Sequence, residues 1–193
     1  MLSSIHPLGE RARHNRWGVT AAAFTVGALA SGAAAGLVLG VIGWATVAPG
    51  SSIALAATAA IALAAGGLDL SGIKPPGPTR QVNENWIGAF RGWVYGGGFG
   101  LQLGAGVATY VVTWTVYAMF LSALLTASPI AWALVGATFG LGRSVSILGA
   151  RFVDRPSRLT VFNRALARSG PVVRLASPAV IIAAGLVVVG GLL

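Results

Sequence analysis

The sequence predicts an all-α polytopic membrane protein: a single integral domain over residues 1–193 with five transmembrane helices, the first four forming two parallel helical hairpins and the fifth closing the chain. Three observations lead there. The chain is 55% hydrophobic and only 9% charged, whereas soluble domains carry about 25% charged residues. Five apolar runs, at 17–47, 51–70, 94–126, 130–150 and 174–193, each approach or exceed the roughly 20 residues that a helix needs to cross a bilayer core. Basic residues, finally, occupy only alternate connections between those runs.

The first run follows Arg11, Arg13 and Arg16 and is too long for the 7–15-residue core of a secretory signal. Within it Gly32, Gly36 and Gly40 share one helical face. A helical glycine costs about 1 kcal/mol against alanine in water, but small residues let helix backbones approach closely in lipid. A turn at Pro49-Gly50 leads into the second run, which ends in GGLDLSG with Asp69. KPPGPTR (74–80) is a stiff connector that cannot be helical. In QVNENWIGAFRGW, Trp86, Phe90 and Trp93 recur at spacings of four and three. That pattern fits a short helix lying in the membrane interface, or an extension of the third span.

The third run carries a second ladder, Gly96, Gly100 and Gly104. Its length exceeds a hydrocarbon core of about 30 Å, so tilt or a break must absorb the excess. After the Ser128-Pro129 turn, Gly136 and Gly140 repeat the spacing in the fourth helix, which also contains Arg143. The last connection sets Leu159, Phe162 and Leu166 opposite arginines. It reads as a basic amphipathic segment, with Arg151, Arg155, Arg158, Arg164 and Arg168 placed to contact anionic lipid.

Positive connections stay cytoplasmic. Five crossings with the N-terminus inside put every basic connection in the cytoplasm, both neutral turns outside, and Leu193 at the outer face. The Ala/Gly/Arg-rich composition with almost no lysine looks like that of a high-GC bacterium, and the expected location is a bacterial inner membrane. The net charge of +9 lies between spans rather than on a folded basic face, so nucleic acid is not an expected partner, whereas a homo- or hetero-oligomer is.

Cysteine is absent, and both histidines, His6 and His14, sit in the N-terminal tail. Thiol chemistry is excluded and a metal centre has almost no ligands to draw on; no cofactor is expected. The runs hold no paired carboxylates, histidine base or Ser–His arrangement, so the chain is not expected to be an enzyme. GGGFGLQLG lacks the GK ending of a phosphate-binding loop.

Three polar groups form a candidate intramembrane site. Arg143 lies about seven residues, or about 10 Å, before the end of its helix. A charge there either snorkels to the headgroups or faces the bundle interior. Asp69 is its candidate partner, and Gln102 adds an amide that seeks a partner in lipid. Thr109, Thr113 and Thr115 are able to bond their own backbone, and Tyr110, Trp114 and Tyr117 suit an aromatic belt.

FTVGALASGAAAGLVLG, FGLQLGAGVATYVVT and GATFGLGRS resemble small glycine-rich membrane proteins related to the transmembrane region of the cytochrome c biogenesis and DsbD family. The resemblance covers residues 20–148. It implies compact repeated helical units that move reducing equivalents or small solutes across the inner membrane. Electron-carrying members use an intramembrane cysteine pair, which this chain lacks, and the family's inverted three-helix units differ from an odd count of crossings. The functional expectation is a small-solute transporter or the membrane subunit of one. The alternative is a non-transporting structural or assembly component of a membrane complex.

Overall fold

The computed structural model describes residues 5–47, 50–77, 85–106 and 111–191, and the regular elements among them are helical. α1 (Pro7–Ala12) is a short helix capped by the His6 side chain. α2 (Trp17–Thr46), α3 (Ser52–Ser71), α7 (Pro129–Gly149, extended to Phe152 by a 3-10 turn) and α8 (Pro156–Gly190) are the four helices long and apolar enough to cross a membrane. Between them lie α4 (Trp86–Ala89), α5 (Gly92–Gly104) and α6 (Trp114–Thr126).

Local chemistry sets most boundaries. The Ser51 hydroxyl accepts from the Ala54 amide to start α3, and Gly72 ends it in the left-handed region at φ 75°. Pro129 and Pro156 open α7 and α8, where a missing N–H costs nothing.

α2 is the axis of one three-helix group. α5 runs parallel to it, with Gly96 against Thr20, Gly100 against Phe24 and Gly104 against Ala28. α7 runs antiparallel, with Gly140 against Ala28, Gly32 and Gly136 facing each other, Gly36 against Trp132 and Gly40 against Pro129. All eight ladder glycines therefore sit at helix–helix contacts. A Cβ added at Gly96 would lie 2.6 Å from the Thr20 carbonyl oxygen, and one at Gly40 would lie 2.7 Å from the Pro129 Cα. No side chain fits such gaps.

A second group joins α3, α6 and α8. Gly185 meets Ala59 and Leu63, Gly66 meets Ile182, and Gly72 meets Arg174, so α8 runs antiparallel to α3. α6 begins beside Asp69 at the end of α3 and finishes with Leu124 against Gly43 of α2, which joins the groups.

Three expectations need correction. The third run is not one helix over 94–126. α5 stops at Gly104, Gly106 turns at φ 76°, residues 111–113 are not helical, and the helix restarts at Trp114. Six glycines in the thirteen residues of α5 and the β-branched run Val111-Val112-Thr113 weaken a continuous helix. The last helix begins at Pro156 rather than residue 174, taking Arg158, Arg164 and Arg168 of the basic segment into one 35-residue helix despite Pro171 and Pro178. Sequential hairpins are replaced by the two groups: α2 packs on α5 and α7, and α3 packs on α6 and α8. The ladders explain this, because the small-residue faces of α2 match α5 and α7. The interface-helix reading of 81–93 reduces to α4 within the described residues; there Trp86 stacks on Phe99 at 6.1 Å, in room left by Gly98. Pro49, Thr109, Tyr110 and Leu193 lie outside the described residues.

Candidate functional site

The break between α5 and α6 creates a helix start inside the molecule, whose first amides need acceptors. Thr113 precedes that start without a side-chain cap bond. Asp69, on α3, supplies the cap instead. Its Oδ1 accepts from the Trp114 amide at 2.7 Å, and its Oδ2 accepts from the Thr115 amide at 3.1 Å and the Thr115 hydroxyl at 2.8 Å. A carboxylate at a helix N-terminus also opposes the positive end of the helix dipole. Just downstream, Trp114 Nε1 donates to the Ile73 carbonyl at 2.8 Å and the Tyr117 hydroxyl donates to the Pro76 carbonyl. Residues 69–76 thus strap the first turn of α6.

Beside this strap is a cavity of about 630 Å³ whose wall includes Asp69, Lys74, Thr113, Ser169, Arg174 and Ser177. A second cavity, of about 440 Å³, shares Thr113 and Ser177 with it and runs between α3, α6, α7 and α8, lined by apolar groups such as Ala62, Met119 and Ile181.

Arg143 is elsewhere. Its guanidinium lies over the Phe139 ring, 4.9 Å from the centroid, one turn back on its own helix, a favourable cation–π placement. The expected Arg143–Asp69 pair is not formed: Arg143 lies over Phe139, while Asp69 caps the first turn of α6. Gln102 is half-buried on α5, and no hydrogen bond among the described residues links it to Arg143 or Asp69. The three polar groups do not make one site.

A different polar cluster closes the other end of the glycine-packed group. Glu10 is fully buried. It accepts from the Tyr95 hydroxyl through both oxygens, accepts from the Thr20 hydroxyl at 2.9 Å and pairs with Arg13 at 2.7 Å. Asn15 accepts from the Gly92 amide at 3.3 Å, and the Leu8 amide donates to the Val153 carbonyl at 3.3 Å. α1 is thereby fastened to α2, to α5 and to the chain following α7, over a core of Ile5, Phe24, Tyr95, Phe99 and Ile147. His6 Nδ1 accepts from the Gly9 amide at 3.1 Å. Burial, and then the nearby Arg13 charge, push the His6 pKa below its ordinary value. Sequence reasoning passed over Glu10 as one more charge in a basic tail. The available signal was rarity, since the chain has only four acidic residues.

Long apolar helices closed on one another by glycine contacts define a polytopic α-helical membrane protein. Among characterised proteins, the chain is similar to the methylamine utilization protein MauF of Paracoccus versutus, 33% identical over 126 residues, which cover 64% of this chain and 45% of that protein. It is 34% identical over 122 residues to MauF of Methylorubrum extorquens, covering 62% and 42% of the two chains. The chain spans less than half the length of these curated relatives. No family model matches it, and no solved structure matches it.

Proposed function

We propose that this chain is a bacterial inner-membrane protein that moves a small solute, or is the membrane subunit of a carrier that does, and that it catalyses no covalent step. The observation that carries this reading is the interrupted third crossing. Irregular backbone at membrane depth is tolerated where protein buries it or where it lines a cavity, and carriers build solute sites from such broken helices. Here the break leads into α6, which Asp69 caps beside a cavity of about 630 Å³. The name of the two relatives suggests methylamine utilization as the setting, with the methylammonium cation as the first solute to test. The proposed topology counts α5 and α6 as one crossing. It has five passes, an internal N-terminus and an external C-terminus, supported by the alternation of basic and neutral connections. In that orientation the exposed Arg151, Arg155, Arg158, Arg164 and Arg168 face the anionic cytoplasmic leaflet.

A second reading, a non-transporting assembly component, is favoured by α8 alone. At 35 residues it is longer than a bilayer core needs, and Val172, Val173, Leu175, Val180, Leu186 and Val187 are exposed along it, a face open to lipid or to a second chain. Reconstituted vesicles separate the readings. Uptake of labelled methylammonium above protein-free vesicles, lost in Asp69→Ala, is expected for a carrier. Uptake equal to protein-free vesicles would remove methylammonium as the solute and favour the assembly role. Because the chain has no cysteine, single cysteines at Ser51 and Ser128 should label from outside and one at Thr79 should not; the opposite pattern overturns the orientation.

A further inference from the structure

We propose that the two adjoining cavities form one binding site for an anionic amphiphile, with the charged head at Lys74 and Arg174 and the chain between α3, α6, α7 and α8. The argument starts from charge. Lys74 and Arg174 line the larger cavity, and among the described residues neither meets a carboxylate at ion-pair distance. The acid on the same wall, Asp69, has both oxygens bonded to the first turn of α6. The wall therefore carries two cations against one carboxylate that is turned to the first turn of α6, a net positive charge, together with the hydroxyls of Thr113, Ser169 and Ser177. Basic pockets between membrane helices on the cytoplasmic side are suited to anionic headgroups.

The second observation is the apolar cavity. It shares Thr113 and Ser177 with the basic one, so the two cavities adjoin at those side chains. Its remaining wall is almost entirely hydrocarbon, from Ala59 and Ala62 through Met119 and Val135 to Ile181 and Val188. An isolated phosphate would leave that volume unfilled, and a neutral alkane would leave the net positive charge of the wall unmet. A head-and-chain anion satisfies both. Its chemistry is shared by two sources, an anionic bilayer phospholipid and a free fatty acid. The cavity walls alone support the site: a resident amphiphile fits the assembly role, whereas under the carrier reading it would hold the cavity in place of a solute, so lipid binding and methylammonium uptake are measured separately.

The test uses the full chain purified in neutral detergent. Bound lipid is counted by native mass spectrometry during titration with phosphatidylglycerol, phosphatidylcholine, palmitate or inorganic phosphate. About one phosphatidylglycerol or palmitate per chain is expected, with phosphatidylcholine much weaker; whichever anion binds more tightly identifies the source. The double substitution Lys74→Gln/Arg174→Gln should weaken binding by about thirty-fold, the attraction of two cations for an anionic headgroup. Lys74→Arg/Arg174→Lys, which keeps both charges, should retain most of it and shows that a loss is not misfolding. Ala184→Phe, which places a ring in the apolar cavity from an exposed position on α8, should weaken palmitate and phosphatidylglycerol while leaving both headgroup cations in place. Arg11→Gln/Arg16→Gln removes the same charge from the N-terminal segment and should change nothing. Equal retention of phosphatidylcholine, phosphate binding as tight as lipid, or equal losses in the two double glutamine variants would each overturn the proposal.

Discussion

Removing Tyr95 or Glu10 tests whether α1 belongs to the packed molecule. Tyr95→Phe keeps the ring that packs at a tilt against Phe99 but deletes the hydroxyl that donates to the buried Glu10 carboxylate. A hydrogen bond to a charged group contributes about 1.5–3 kcal/mol. Glu10→Ala acts more broadly. It leaves the fully buried Tyr95 hydroxyl without its acceptor, at about 1–3 kcal/mol, while Thr20 is able to turn back onto its own helix. The Arg13 pair adds less than about 1 kcal/mol, because that side chain is 30% exposed and water replaces its partner. The expected losses are therefore about 2 kcal/mol for Tyr95→Phe and about 3 for Glu10→Ala. The double variant should lose clearly less than their sum, since removing the hydroxyl removes the orphan. In thermal unfolding in neutral detergent, with about 2–4 °C for each kcal/mol in a chain of this size, Tyr95→Phe should melt about 4–8 °C low. A wild-type melting temperature in Tyr95→Phe, or strictly additive losses in the double variant, would refute the cluster as a fastening.

Gly100→Leu should lose more than the about 1–3 kcal/mol of ordinary overpacking, because its side chain would enter the Phe24 backbone; Gly142→Ala, with nothing within 4 Å, should gain up to about 1 kcal/mol in the same melting assay. Arg143→Met and Asp69→Asn should combine additively to within about 0.5 kcal/mol in folded yield or melting, and recovery in the double variant would restore the pairing that the geometry rejects. His6 gives a pH dependence. Its folded pKa lies below the unfolded value of 6.5, so its contribution is present above pH 6.5 and lost as pH falls through the folded pKa. His6→Asn keeps a cap acceptor without a titrating proton, and its melting temperature should fall less than that of the parent below pH 6.5.

Hydropathy made the long helices legible, because apolar length alone decides whether a segment is stable in lipid. The same measure is blind to the place of the α5–α6 break, since Gly104 to Thr113 is as apolar as its flanks; excess length called for a tilt or a break without choosing between them. Pro171 and Pro178 mislead in the opposite sense. Proline is a strong breaker in water, yet membrane helices tolerate it where surroundings satisfy the freed carbonyl. Asp69 was legible as a polar group needing a partner. Its partner was not, because the amides it caps exist only once the third crossing is broken. Glu10 was harder still: Tyr95 lies 85 residues away in sequence, and nothing local sets this acid apart from a solvated one.

The exchange of neighbours between successive helices has a consequence for biogenesis. α2 leaves the ribosome before its partners, and α7 is complete only at Gly149, about a hundred residues later, or about 5–20 s at ordinary elongation rates. α3 waits longer still, until α8 is made. Neither group is able to close early, so the newly inserted α2 must hold its glycine face in lipid or against the insertion machinery. A nascent chain halted after α7 would have all the helices of the first group and lack the last member of the second. Maturation therefore has a built-in order, with the glycine-packed half finished before the half that carries the cavities.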